Sequence, residues 1–154
     1  MSPKLVELLS LQGQGAVVTG GGKGIGRGIA ERLAEAGAGV LIADVDEKSG
    51  IDAVRAIEKA GGRARFQLCD TSKPSDAKRA IDEAAKAFGR LDVLVNNAGV
   101  FPMRSALEVD EQMWDRVLDI NLKGTFFFAQ AAAKKMIEAN TIRKTDTPSM
   151  SFTV

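Results

Sequence analysis

The stretch "VVTGGGKGIGRGIAERLAEAG", Val17 to Gly37, places five glycines within the seven residues Gly20 to Gly26, between an apolar run and a stretch with helical spacing. Glycine reaches left-handed backbone conformations and carries no Cβ, so a turn this bare suits close approach by something else. The pattern from Thr19 to Gly26 is T-G-x-x-x-G-x-G. It departs from the strict G-x-G-x-x-G fingerprint, and Lys23 lacks the following Ser or Thr of a nucleotide-hydrolase phosphate loop. The physical work is the same. A tight glycine turn lets backbone meet a pyrophosphate, and the helix behind it offers free N–H groups and a positive dipole end. Gly20, Gly22, Lys23, Gly24, Ile25 and Gly26 are the candidate contacts. The bland alternative is a strand-to-helix turn without a ligand.

Outward from the loop, four apolar runs (Ala16 to Thr19, Gly39 to Ala43, Ala64 to Leu68 and Leu91 to Val95) alternate with stretches of helical periodicity. Strands separated by helices pair in parallel through right-handed crossovers. The expected fold class is therefore α/β, an open, doubly wound parallel sheet. Ile25, Ile29 and Leu33 form one expected sheet-facing stripe; Ala77, Ile81, Ala84 and Phe88 form another. Gly37 and Gly61-Gly62 stand at expected helix C-termini, and Ser72-Lys73-Pro74 supplies an expected cap and an early proline. Met1 to Gln14 reads as a short helix or loop. Residues 1–139 read as one nucleotide-binding domain, and from Asn140 to Val154 the sequence loses its pattern and reads as an irregular tail. The fourth strand then has no strand after it, which leaves an apolar sheet edge to be covered.

Composition narrows the chemistry. The 154 residues are 45% hydrophobic and 27% charged with net charge +1, as in a soluble globular domain without a nucleic-acid footprint. The most apolar run, Gly124 to Ala133, is too short to span a bilayer, so no membrane partner is expected. One cysteine and no recognisable leader point to a reducing cytoplasm. There is no histidine and no tyrosine, which removes the usual zinc sites, Ser-His-Asp triads and Cys-His pairs; no metal site is expected. Acid–base work would fall to Asp, Glu or Lys.

Further candidates sit where open sheets bind ligands, at carboxyl ends of strands. Asp44 ends the second strand, twenty positions beyond Gly24. Its carboxylate can accept both adenosine ribose hydroxyls and repels a 2′-phosphate, which favours NAD over NADP; the alternative is an ordinary helix cap by Asp44 or Asp46. Lys23 argues the other way, since a cation beside the loop could welcome an extra phosphate. Asp70 and Thr71 follow the third strand, and Asn96-Asn97-Ala98-Gly99 the fourth. Asp70 could meet an adenine edge, with a turn or cap an equal alternative, and the Asn97-to-Gly99 backbone could approach an adenosine and its ribose, while the asparagine amides can hold neighbouring loops together as well as a ligand. One long helix is expected over Asp110 to Ala139, with a stripe of Trp114, Val117, Leu118 and Leu122 in which Asn121 falls. An unpaired buried amide costs about 1–3 kcal/mol, so Asn121 needs a partner, and spacing alone favours a structural one.

Together, Thr19-Gly-Gly-Gly-Lys-Gly-Ile-Gly26, Asp44, Asp70, Asn96-Asn-Ala-Gly99 and Asn121 resemble the short-chain dehydrogenase/reductases, over Leu11 to about Ala139. The resemblance implies a Rossmann-like fold, a glycine loop on the NAD(P) pyrophosphate, selection of NAD by the strand-end acid, and hydride transfer between nicotinamide and an alcohol or ketone. It assigns Asn121 to an Asn-Ser-Tyr-Lys catalytic group, where it helps hold a water for the proton relay. It also implies oligomerisation through the last helix. The family's serine and Tyr-x-x-x-Lys are not among these residues, and the departure begins near Asn140, as a truncation, a changed reading frame or a spliced product would leave it. The expectation is a cofactor-holding part, truncated after the fourth strand and the following helix, with little or no turnover; an alcohol or ketone would be a substrate only of a complete form. A non-catalytic nucleotide-binding or oligomerisation module, or a product without function, is the alternative.

Overall fold

The structure is a computed structural model and describes residues 7–139. Four parallel strands, β1 (Gly15–Thr19), β2 (Gly39–Asp44), β3 (Arg63–Leu68) and β4 (Val93–Val95), form one sheet in the order β3-β2-β1-β4. Helices α1 (Gly24–Glu35), α2 (Glu47–Lys59) and α3 (Pro74–Phe88) fill the crossovers. After β4 come a short 3₁₀ turn, α4 (Glu111–Leu118), a π-helical segment (Asp119–Gly124) and α5 (Thr125–Glu138). The expected doubly wound sheet is present.

Strand alternation sorts the core into two layers. Ala16 and Val18 of β1 with Val40 and Ile42 of β2 face one side, packed on Ala30, Ala34, Ala53 and Ile57 of α1 and α2. Val17 and Leu41 face the other, packed on Ala77, Ile81 and Ala84 of α3 and on Phe128 and Ala132 of α5. Both central strands are buried on both faces, which is why they read as unbroken apolar runs. β3 is an edge strand, and its Arg63 and Arg65 are exposed. Charged edge residues of this kind discourage pairing with another chain.

The helix ends follow the glycines. α1 ends at Ala36 and α2 at Ala60; Gly37 and Gly61 then take φ of 103° and 85°, and the next N–H in each case returns to a carbonyl of the last turn (Ala38 to Leu33, Gly62 to Ile57). These are Schellman closures, which need the left-handed residue.

Several expectations need correction. The face of α1 against the sheet is Gly26, Ala30 and Ala34, not Ile25, Ile29 and Leu33, and Ile25 is 79% exposed. Close packing of α1 on the strands selects the small residues, while Ile29 and Leu33 flank the contact. The N-cap of α3 is Lys73 without a side-chain bond, not Ser72, whose hydroxyl and N–H go to Asp70 instead; Pro74 does open the helix. β4 spans Val93–Val95 rather than Leu91 to Val95, and just ahead of it Asp92 meets β1 through both backbone and side chain, its N–H donating to the Gly15 carbonyl at 2.8 Å and its Oδ2 accepting from the Gly15 N–H at 3.0 Å. The long last helix is two α-helices joined by the π segment, and its stripe points outward: Trp114, Leu118 and Leu122 are exposed and α4 buries nothing. β4 lies at an edge of the sheet with its three residues half-buried, as expected of a strand without an outer neighbour among the described residues. The tail expected at 140–154 lies outside the described residues, as do residues 1–6. Among the described residues, no helix is long and apolar enough to cross a membrane, and no cluster of potential metal ligands occurs.

Candidate functional site

The sheet order puts β1 in the middle, with the chain going to β2 on one side and β4 on the other. Ligands of doubly wound folds bind at such a switch point, outside the carboxyl ends of the strands. Here those ends are Thr19, Asp44, Leu68 and Val95, and the loops after them surround a cleft of about 890 Å³. Gly20, Asp44, Asp70, Thr71, Ala98 and Gly99 line it.

The glycine loop turns sharply after Thr19. Gly20 (φ 63°) donates its N–H to the Ala43 carbonyl at 2.8 Å, and Gly24 (φ 53°) opens α1. Gly26 leaves no room for a side chain, since a Cβ there would collide with the Gly20 carbonyl oxygen and the Asn97 amide. Lys23 is the N-cap of α1 with no side-chain bond, and the first turn carries no acid, so no side-chain cap claims the first N–H groups of the helix.

Asp44 ties this loop to β2. Its Oδ2 accepts from the Gly22 N–H at 2.8 Å and its Oδ1 from the Asp46 N–H at 3.0 Å. The N-cap of α2 is Asp46, which accepts from the Ser49 N–H at 3.0 Å, so of the two acids considered as caps it is Asp46 and not Asp44 that fills the role. Asp46 also holds the Lys23 ammonium at 2.5 Å. That hydrogen bond keeps the Asp46 carboxyl well below the usual carboxylate range and raises Lys23.

The β4 loop is stitched to β1 through one hydroxyl. Thr19 Oγ1 accepts from the N–H groups of Asn97 and Ala98, both at 3.0 Å, and lies 3.4 Å from the Val95 carbonyl. The Asn97 amide donates to the carbonyls of Thr19 and Gly20 at 3.0 and 3.1 Å. Asn97 and Gly26 thus stand behind the wall of the cleft rather than on it, and Thr19, absent from the sequence-based candidates, is the junction. The signal was present, since a Thr precedes the first glycine of the loop, but its partners lie far along the chain.

Asn121 sits in the π segment. Its Oδ1 accepts from the Val100 N–H at 2.9 Å, its Nδ2 donates to the Val100 carbonyl at 3.0 Å, and its own carbonyl accepts from the Thr125 hydroxyl at 2.8 Å. The amide is engaged at both ends, and Val100 lines the cleft. The segment ends at Gly124, where a Cβ would press on the Thr71 carbonyl oxygen at 2.6 Å, so helix and loop meet backbone to backbone.

The other walls are acidic. Asp70 is held by Ser72 and Lys73, and the Ser72 hydroxyl bond chiefly lowers its carboxyl below the ordinary value. Glu111, Asp115 and Asp119, four residues apart along α4 and the π segment, line the cleft with Arg116. That i, i+4, i+8 spacing is legible in the sequence. Cys69 also lines the cleft, but burial pushes its thiol up to about 12, so it is neutral and a poor nucleophile near pH 7. Gly22, Lys23, Gly24 and Ile25 lie outside this lining, at the turn and first residues of α1.

Residues 14–143 match the family described as short chain dehydrogenase. An uncharacterised oxidoreductase of Methylorubrum extorquens is 44% identical over 133 residues, which are 86% of this chain and 54% of that protein. The L-2,3-butanediol dehydrogenase of Corynebacterium glutamicum is 41% identical over 125 residues, 80% of this chain and 48% of that one. The chain spans about half the length of the curated relatives it matches. Among solved structures, a short chain dehydrogenase of Burkholderia cenocepacia in complex with NADP superposes with a TM-score of 0.78 at 40% identity, covering 81% of this chain and 51% of that one. A dehydrogenase/reductase of Sinorhizobium meliloti gives 0.84 at 35% identity, covering 87% and 54%. With the glycine loop, Asp44 and the Asn97 stitch all meeting at one switch point, and with a family match over most of its length, this chain belongs to the short chain dehydrogenase family.

Proposed function

We propose that this chain is the nucleotide-holding part of a short-chain oxidoreductase, that it takes NAD in preference to NADP, and that these 154 residues alone give little or no turnover. The observation that carries the reading is the carboxylate of Asp44 at the cleft, fixed 2.8 Å from the Gly22 N–H beside an uncapped helix N-terminus. Such a pairing suits a ribose diol next to a pyrophosphate: the carboxylate accepts hydroxyl protons and the helix end attracts the anion. A 2′-phosphate would meet the carboxylates of Asp44 and Asp70 and an acidic wall relieved by one arginine, Arg116. NAD, when bound, supplies the hydride-accepting carbon of its nicotinamide ring.

Each candidate residue then has a part. Gly20, Gly22, Gly24, Ile25 and Gly26 shape the phosphate turn; Asp70, Thr71, Ala98 and Gly99 form the adenosine side; Asn97 keeps the two loops together. Asn121 serves as a positioning residue through Val100, which it grips by both backbone groups. What the 154 residues do not contain is a tyrosine or histidine to exchange a proton with an alcohol oxygen. Holding the cofactor does not replace that acid–base step.

Calorimetric titration of the 154-residue chain tests the reading. Saturable NAD binding and a concentration-dependent rise in melting temperature are expected. Asp44→Ala is expected to weaken NAD by at least about tenfold, as loss of a charge-assisted hydrogen bond does. A folded chain with no NAD affinity sinks the proposal; robust oxidation of alcohols by these residues alone sinks its second half.

A second reading has its own support. Trp114, Leu118, Leu122 and Phe126 are all exposed and four residues apart on α4, the π segment and α5. Exposed apolar rows of this kind mark interaction surfaces, and a second copy of the chain is the proposed partner. Light scattering at rising concentration decides it, and a monodisperse monomer counts against it.

A further inference from the structure

The glycine loop carries one feature that contradicts a preference for NAD, the ammonium of Lys23. Left free, a cation at this point would attract a 2′-phosphate. It is not free. Lys23 Nζ lies 2.5 Å from Asp46 Oδ2, across the gap between the α1 and α2 N-termini. The Asp46 N–H is in turn 3.0 Å from Asp44 Oδ1, and the Gly22 N–H 2.8 Å from Asp44 Oδ2. Lys23, Asp46, Asp44 and Gly22 therefore form one connected cluster around the carboxylate assigned to the ribose. Any phosphate on that ribose would sit against it.

We propose that Asp46 is a second cofactor-selecting residue, which excludes a 2′-phosphorylated dinucleotide by holding Lys23 in an ion pair and adding its own negative charge beside Asp44. This deepens the NAD reading above and rests on it. Asp46 is not needed to touch NAD. Its effect is electrostatic: the pair is solvent-exposed and adds little to stability, yet it cancels the only cation of the loop at contact distance. Within a Debye length of about 8–10 Å, removing one negative charge next to a dianionic phosphate is felt in affinity. The same side chain caps α2 through Oδ1, with the Ser49 N–H at 3.0 Å and the Ser49 hydroxyl on Oδ2 at 2.9 Å. A residue already required as a cap thus gains a second use from the other oxygen.

Asp46→Asn separates the two uses, because Asn caps helices as well as Asp and keeps an acceptor oxygen. NAD and NADP affinities of the full chain are measured by calorimetry for wild type, Asp46→Asn, Lys23→Met and the double variant, with urea midpoints to confirm folding. Asp46→Asn is expected to tighten NADP by about five- to tenfold, the Coulomb effect of one charge a few ångströms from a phosphate in water, and to shift NAD by less than twofold. Adding Lys23→Met is expected to remove the part of the gain that the freed ammonium contributes, and 1 M salt is expected to screen all of it. An unchanged NADP/NAD ratio in Asp46→Asn, equal shifts for both nucleotides, or a gain undiminished by Lys23→Met overturns the inference while leaving NAD binding standing. Failure of wild type to bind either nucleotide overturns both.

Discussion

The hydroxyl of Thr19 is 1% exposed and is shared by the Asn97 and Ala98 N–H groups. Thr19→Val keeps the shape and deletes the acceptor, leaving two backbone donors without a partner. The expected loss is about 2–4 kcal/mol in urea unfolding, with NAD affinity falling alongside. A loss under about 1 kcal/mol would show that the two loops are joined some other way. The glycines of the turn make a graded comparison. Gly26→Ala drives a Cβ into the Gly20 carbonyl and the Asn97 amide, an overpacking cost of about 1–3 kcal/mol, and should also disturb the phosphate turn. Gly24→Ala meets open space and suffers only from its left-handed φ of 53°, about 1–2 kcal/mol. Equal loss of NAD binding in both would argue that glycine at Gly26 is not there for close approach. Residue types and their spacing made the glycines and Asp44 legible in the sequence. The cap by Asp46 was legible too, but its ion pair with Lys23 and the junction made by Thr19 were not, because each depends on a partner on another element.

Periodicity identified the elements and misjudged two of their faces. α1 shows its large apolar residues at one spacing and its small ones at the next, and the sheet takes the small ones because backbone must come close. The final helix misled for a different reason. A π segment inserts where Asn121 reaches Val100, and nothing in a hydrophobic stripe encodes a turn of the wrong size. Such segments commonly coincide with functional positions. Asn121→Leu should leave the Val100 N–H and carbonyl unpaired and cost about 1–3 kcal/mol, read from urea midpoints. Amide exchange at Val100 should quicken in the same variant; an unchanged rate would mean that the loop holds itself. The outward stripe of Trp114, Leu118 and Leu122 was legible as apolar but not as exposed, since the sequence does not reveal what lies opposite a helix.

For the molecule as a whole, alternation of strands and helices gave the parallel sheet, while the order β3-β2-β1-β4 required the crossovers to be placed on either side of β1. Charge gives a prediction at this scale. Asp46, Asp70 and Asp82 all lie below the ordinary 3.8, chiefly through hydrogen bonds from Lys23, Ser72 and Lys78 respectively. A depressed folded value favours the native state above the ordinary value and loses that support as pH falls through the folded one. Cys69 works oppositely, because its thiol resists ionisation from the ordinary 9.0 to about 12 and the unfolded chain ionises first. With no histidine to titrate between, the urea midpoint should be nearly level from about pH 5 to 8 and fall below about 4 and above about 9. A midpoint that slopes across neutrality would contradict this assignment. The stitch between Gly20 and Asn97 joins residues 77 positions apart. Closing so long a loop is entropically the most demanding step of assembling this sheet, and slow folding follows long-range pairing. The nucleotide pocket is consequently expected to be a late product of folding: a nascent chain gains its β1–β2–β3 ladder before it can recognise anything, and refolding in the presence of NADH, followed by the nucleotide's own fluorescence, should report binding only in the slowest phase.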